Sequence, residues 1–342
     1  MNQLSLINGF TSRSQLSTQP KPSQPGAHTY LDTRVTKSQI KTKRTRSQGA
    51  RKRLETKKHL VALADALGEV ELSGKLQRCH SVMSALTCGW HIARLIPNAT
   101  CENRLCPDCA RRRARKLINK HLPAMRAFLQ TNRATPVHLV LTQSHRAETR
   151  REAVKRLRDA FIKLQRREFW KEHFKGGGTW TIEFTKGRDG LHHAHFHIIG
   201  FRSKFFGIDL LRAEWLAVTG DSHVLHLKRI EDLASGLLEV MKYVSKPLDV
   251  KRFTKADLAD FMRLKNMRLF GTFGAYRKFS RNYKPSDNAE MPLSEHSDLA
   301  EGDGCPQCSQ PLFDLQMSAA DLVRFYERIE ATPGSSLRGS PT

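Results

Sequence analysis

The chain has 342 residues, 39% of them hydrophobic, with a formal net charge of +25 and a pI of about 10.2. That excess of base implies a polyanionic partner, nucleic acid first, with a basic ribosomal or membrane-surface protein as the alternative. No apolar run approaches the ~18 residues of a membrane span and no secretory signal opens the chain, so a cytoplasmic location is expected, where seven cysteines are metal ligands or free thiols rather than disulfides.

Residues 1–54 are rich in Ser, Thr, Gln, Pro and base, with eight Lys or Arg and no acid between Thr36 and Leu54. Such a segment cannot bury a core and reads as a disordered tail that adds non-specific phosphate affinity. Order is expected from Glu55, where Leu60, Val61, Leu63, Ala64 and Leu67 recur at helical spacing. Residues 55–134 then form a helical, cysteine-rich and basic segment.

Cys79, Cys88, Cys101, Cys106 and Cys109 fall close together. "CPDC" makes a tight turn able to present two thiolates to one ion. The set chosen for a closed, structural zinc site is Cys88, Cys101, Cys106 and Cys109, with Cys79 spare. Reduced thiols without a ligand are the alternative. Arg111, Arg112, Arg113, Arg115 and Lys116 follow directly and are expected to contact DNA phosphates; otherwise they form a solvated helix face.

Residues 135–284 carry the next unit. "TPVHLVLTQS" (135–144) reads as a buried strand, and 148–172 as one long helix with Val154, Leu157, Phe161 and Leu164 on one face. "GGG" at 176–178 breaks the chain. "TWTIEFT" (179–185) and "LHHAHFHIIGF" (191–201) alternate as two strands of a hairpin. Helices are expected at 207–217, 232–246 and 257–270, with a strand at 223–230. The last unit, 285–342, holds "CPQC" at 305–308 and a helix from Ser318 to Glu330 capped by Ser318 and Asp321. Cys305 and Cys308 form a second zinc half-site whose partners are Cys79, nearby histidines or the first cluster. Hairpins with added helices predict an α+β fold, a central antiparallel sheet flanked by helices, beside a zinc-binding segment.

In the hairpin, residues two apart share a face, so His195 and His197 project together and Phe196 points away. A turn centred on Asp189 puts Glu183 opposite His195 and Thr181 opposite His197; a one-residue slip would turn Glu183 to the other face. Two imidazoles and a carboxylate suit a divalent cation with open positions, Mg²⁺ or Mn²⁺ in use, although Zn²⁺ would also bind. The alternative is a half-buried strand whose histidines bond their neighbours. His193 shares the His195 face as a supporting residue, and His192 is expected in solvent.

Only five tyrosines occur, at 30, 243, 276, 283 and 326. Tyr243 lies in "LLEVMKYVSK", four residues after Glu239 and three before Lys246, which places all three close on one helix. A phenol with a free pKa of about 10 becomes a useful nucleophile when a metal polarises the electrophile and a neighbour aids proton loss.

"HLVLTQS", "GLHHAHFHIIG" and "EVMKYVSK", in this order, resemble the three motifs of rolling-circle replication initiators of bacterial plasmids, in the superfamily named for its His-hydrophobic-His pair. "CENRLCPDCARRRARK" and "RLFGTFGAYRKF" resemble flanking segments of one plasmid family, so the likeness spans about 79–280. It implies a central antiparallel sheet with a metal site on one face. It implies His195, His197 and Glu183 as metal ligands, Tyr243 as the nicking nucleophile, Glu239 as an activator of water at termination and Lys246 as the motif lysine. The partners implied are origin DNA and the host helicase and polymerase, with no membrane. One departure is Val140 where the first motif usually carries a threonine; Thr142 remains, and its strand is read as structural. The rival functions are a transposase of the same superfamily, which would need a second helical tyrosine, and a non-catalytic basic DNA-binding protein built on zinc.

Overall fold

The computed structural model describes residues 45–144, 146–187, 192–245, 253–284 and 301–332, with the side chains of 243–245 excepted. The predicted tail is therefore outside the description up to Arg44, but its last part is not coil. Helix α1 runs from Arg46 to Ala66, started by a capping box in which Thr45 and Gln48 satisfy each other's backbone N–H groups. The expected boundary at Glu55 thus falls inside a helix. Hydrogen-bonded caps and burial of Ala50, Leu60 and Ala64 outweigh the charge density of this stretch.

Helix α2 (Val70–Arg78) leads into the hairpin β1 (Val82–Thr87) and β2 (Ile92–Pro97), then the long basic helix α3 (Pro107–Thr131). Next come β3 (Thr135–Thr142), α4 (Arg150–Arg166), α5 (Glu168–His173), β4 (Gly178–Lys186) and β5 (His192–Arg202). After them follow α6 (Ile208–Thr219), β6 (Leu225–Arg229), α7 (Leu233–Ser245), α8 (Lys255–Met262), β7 (Phe270–Phe273) and α9 (Gly274–Asn282). The chain closes with β8 (Phe313–Ser318) and α10 (Ala319–Ala331), the latter capped by Ser318 and Asp321.

Among the described residues the strands form two antiparallel sheets instead of one. The larger has the order β6-β3-β5-β4-β7, the smaller β2-β1-β8. The architecture is α+β, with antiparallel sheets flanked by helices. Two helices differ from expectation. The long helix at 148–172 is broken at Arg167, which adopts extended backbone and so separates α4 from α5. The helix at 257–270 ends at Met262, and Phe270–Phe273 pairs instead with β4 as an edge strand. Gly177 lies where this edge passes the chain: its φ is +75° and a Cβ there would stand 2.0 Å from the Phe273 carbonyl oxygen.

Both faces of the five-stranded sheet are covered. One packs Leu139, Trp180, Phe196 and Ile198 against Val154, Leu157 and Phe161 of α4. The other packs Ile199 and Phe201 against Met125 and Phe128 of α3, Leu237, Val240 and Met241 of α7, and Tyr276 of α9. The segment expected as a separate C-terminal unit joins the fold through β8, which pairs with β1 along its whole length. A ladder between positions more than 200 residues apart leaves no trace in local periodicity.

Candidate functional site

Strands β4 and β5 pair with Glu183 opposite His195 and Thr181 opposite His197, the register that keeps Glu183 on the histidine face. The carboxylate bonds diagonally: Glu183 Oε2 accepts from His197 Nε2 at 3.0 Å. The other ring nitrogen, Nδ1, lies 3.3 Å from His138 Nε2 on β3. His195 sits between two hydroxyls, with Nδ1 3.2 Å from Thr142 Oγ1 and Nε2 2.9 Å from Thr185 Oγ1. Burial first of all pushes the His195 pKa down to about 4, so the ring stays neutral at physiological pH. His138 is likewise pushed down to about 4 by burial and then by His197, against the opposing pull of the Glu239 carboxylate.

Two histidines join this face that the sequence reading passed over. His138 belongs to β3, where it pairs with Ile199, and His226 on β6 pairs with Val140. Both share the side-chain phase of His195 and His197 once the strands are in register, and His226 is close enough to act on the His195 charge. The available signal was their alternation with buried Val137, Leu139 and Leu225 and half-buried Leu227. Thr142 also does more than hold its strand. Its hydroxyl meets His195, and its carbonyl accepts from Trp215 Nε1 at 2.8 Å. His192 is not in solvent: its Nε2 is 3.0 Å from Asp257, inside an ion-pair network with buried Arg150.

Helix α7 lies over the histidine face. Leu237, Val240 and Met241 bury with Ile199 and Phe201 of β5, in line with His195 and His197 two residues at a time. Asp232 starts the helix, accepting from the backbone N–H of Ala234 and Ser235. Gly236 permits close packing, since a Cβ there would stand 2.6 Å from Ile230 Cγ2. Glu239 is paired with Lys242 one turn on, and its charge reaches His138. Tyr243 lies in the last turn of α7. Its side chain, and Lys246, lie outside the described residues.

Tyr276 is a different kind of tyrosine. It is fully buried, its hydroxyl 3.0 Å from His121 Nδ1, and burial pushes its phenol far above the usual range. No strand of DNA reaches it without unfolding α3 from α9. Burial, and to a lesser degree Lys120, pushes the His121 pKa down to about 4. An unfolded histidine titrates near 6.5, so the unfolded chain takes up a proton that the folded chain refuses. Stability from this residue is complete above about pH 6.5 and is lost as pH falls toward 4, an amount on the order of 3 kcal/mol. Urea titrations of wild type and His121→Gln between pH 4 and 7 check this: the variant should lose part of the acid lability. Parallel curves would rule His121 out as its source.

The cysteines assemble differently from the expected set. Cys79, spare in the expected set, joins Cys101, Cys106 and Cys109, while Cys88 is elsewhere. The sulfurs stand 3.6 Å (Cys79–Cys106), 3.4 Å (Cys79–Cys109) and 3.7 Å (Cys101–Cys109) apart. The correction follows from the β1–β2 hairpin. Cys79 precedes it and Cys101 follows it, so antiparallel pairing brings them together, whereas Cys88 is at the far end. Cys88 instead meets His91, Cys305 and Cys308. These are the two groups among the described residues whose donor atoms all lie within 4.8 Å of one another; Glu183, His195 and His197 converge less tightly. Of the basic residues after Cys109, Arg111, Arg112 and Lys116 are exposed, while Arg113 donates to the Glu102 carbonyl at 2.8 Å and braces the cysteine loop.

Among the described residues, no helix is long and apolar enough to cross a membrane. No curated protein and no solved structure matches the chain. A family model described as a replication protein does match, over residues 92–307, which span β2 through α9 and the histidine face and end inside the CPQC turn, one residue before Cys308. The chain belongs to this Rep_1 replication protein family, and is a plasmid replication initiation protein.

Proposed function

We propose that this initiator nicks and rejoins one DNA strand at its origin, with Tyr243 as nucleophile. The observation that carries the reading is the cross-strand gathering of Glu183, His195 and His197 on the sheet face that α7 covers. The donors fit a divalent cation: a carboxylate and two imidazoles, one of them kept neutral by burial. Mg²⁺ or Mn²⁺ held by these three residues would polarise the scissile phosphate. His138 would orient the His197 ring and one of Thr142 and Thr185 the His195 ring, as second partners of metal-binding histidines do, with the metal taking the place of the other threonine hydroxyl.

The tyrosyl oxygen attacks the phosphorus, a new P–O bond forms, and the bond to the 3′ oxygen breaks. That oxygen takes up a proton, leaving a 5′-phosphotyrosyl link and a 3′-OH that the host polymerase extends behind the host helicase. Lys246 assists loss of the phenolic proton. Glu239, one turn before Tyr243, takes a proton from water in the second, terminating cut. Cys79, Cys101, Cys106 and Cys109 hold a structural zinc, since ligands about 2.3 Å from zinc lie about 3.8 Å apart along tetrahedral edges. This site anchors the start of α3, whose Arg111, Arg112, Arg113, Arg115 and Lys116 position DNA through its phosphates.

Nicking of a supercoiled origin plasmid tests the reading. Chelation should abolish it and Mg²⁺ or Mn²⁺ restore it. The His195→Ala/His197→Ala double variant should lose about 10³-fold or more, because several kcal/mol of charge stabilisation disappear. Full activity of that variant would overturn the metal site.

A further inference from the structure

We propose that Cys88, His91, Cys305 and Cys308 form a second, independent zinc site that latches the C-terminal strand and helix to the β1–β2 hairpin. Two chain segments supply the donors. Cys88 and His91 flank the tip of the hairpin, and Cys305 and Cys308 flank a turn more than 200 residues later. Cys88 Sγ is 3.6 Å from Cys308 Sγ, and His91 Nδ1 is 3.5 Å from Cys88 Sγ and 3.6 Å from Cys305 Sγ. A disulfide needs about 2.05 Å between sulfurs, so these are not covalent pairs. The spacings match tetrahedral edges, about 3.8 Å for sulfur to sulfur and somewhat less for sulfur to nitrogen.

The backbone is shaped for thiolates. The His91 amide donates to Cys88 Sγ at 3.3 Å. Around the other pair the chain folds into a tight knuckle: the Ser309 amide donates to the Cys305 carbonyl at 2.8 Å, and Ser309 itself adopts φ +60°. Three soft thiolates and one imidazole, with no position left for water, select zinc in a structural role.

Beyond this turn, β8 and α10 rest on the β1 ladder and on a core of Met83, Ala85, Met317, Leu322, Phe325 and Ile329, but the turn itself has little else to hold it. Four of the six β8 residues are exposed, including Phe313 and Leu315. The buried apolar cluster beside the site is only Leu86, Cys305 and Leu312. So small a core does not order a loop of this length, and a metal is the usual remedy. The latch also acts at a distance. Arg328 of α10 donates to the Gly89 carbonyl between the two hairpin ligands, and Glu330 accepts from the Ser47 amide at the start of α1. Fixing the turn therefore fixes α10 and, through it, the first turn of α1.

Native mass spectrometry of the full-length protein, purified under reducing conditions, should find two zinc ions. The Cys305→Ser/Cys308→Ser variant should hold one, and His91→Cys, which makes the set four thiolates, should hold two. Hydrogen exchange across 313–331 should accelerate by at least about tenfold in the double variant. Should that variant fail to fold, alkylation of the wild type decides. Cys308, although exposed, should resist alkylation with Cys88 and Cys305, and all three should become reactive together on chelation. A double variant that holds as many zinc ions as the wild type, or a Cys308 that reacts freely before chelation, would each overturn the proposal.

Discussion

Tyr243→Phe should abolish the covalent protein–DNA adduct while leaving DNA binding in place. The substitution keeps the ring and removes only the hydroxyl, and loss of a covalent nucleophile costs on the order of 10⁶ in rate. Denaturing gels of origin DNA labelled on the 3′ side of the cut, the fragment that keeps the 5′-phosphotyrosyl link, check the result. Two comparisons make it specific. Tyr276→Phe should form the adduct at the wild-type rate, because that hydroxyl is buried against His121 and serves the packing of α9 on α3. Its cost is one buried hydrogen bond, about 1 kcal/mol of stability. Glu239→Gln should still form the adduct but fail to release closed circles, since a carboxylate is needed only where water replaces the tyrosine. An adduct persisting in Tyr243→Phe would move the nucleophile elsewhere, and Tyr276 would not be the substitute.

Arg150→Ala should unfold the protein more readily than any single change at the histidine face. Arg150 is 1% exposed and lies at the first position of α4. Its guanidinium meets Asp257 at 2.9 Å and Asp260 at 2.7 Å, both on α8, and donates to His192 at the start of β5. Burial works against the Asp257 charge, but the Thr254 amide, Arg150, the Thr254 hydroxyl and Lys186 hold its carboxyl far below the ordinary carboxylate range. Removing the cation leaves two carboxylates partly or wholly buried without it, which costs about 3–5 kcal/mol. A fall in melting temperature on the order of 10 °C should follow. Arg150→Ala/Asp257→Ala should recover part of that loss, because the second change removes the stranded charge. A drop under about 1 kcal/mol in the single variant would show that the network does not carry α8.

Much of the site was readable because its pattern is short-ranged. A strand has period two, so His195 and His197 had to share a face, and a hairpin turn of given centre sets which residue opposes which. That logic put Glu183 opposite His195 from a dozen residues of text. Helix α7 was equally legible, because Leu237, Val240 and Met241 recur at helical spacing. What the alternation did not reveal was the diagonal bond from Glu183 to His197 or the arrival of His138 and His226, which depend on β3 and β6 being laid beside β5 in register.

The cysteines mark the limit. Residue types and the short CPDC and CPQC spacings already declared two thiolate turns, and local chemistry suffices for that. Which other donors meet each turn is a matter of where hairpin ends and distant strands come to rest. Cys79 and Cys101 converge because β1 and β2 run antiparallel between them, and Cys88 is carried away to the opposite end for the same reason. Its own partners arrive through the β1–β8 ladder, across more than 200 residues. The burial of Tyr276 and the break at Arg167 belong with these: each is set by what packs against the residue and not by its neighbours in the chain. Periodicity encodes which face a side chain takes, because adjacent peptide geometry dictates it; the identity of what lies on that face is decided by pairings whose free energy is shared over the whole fold.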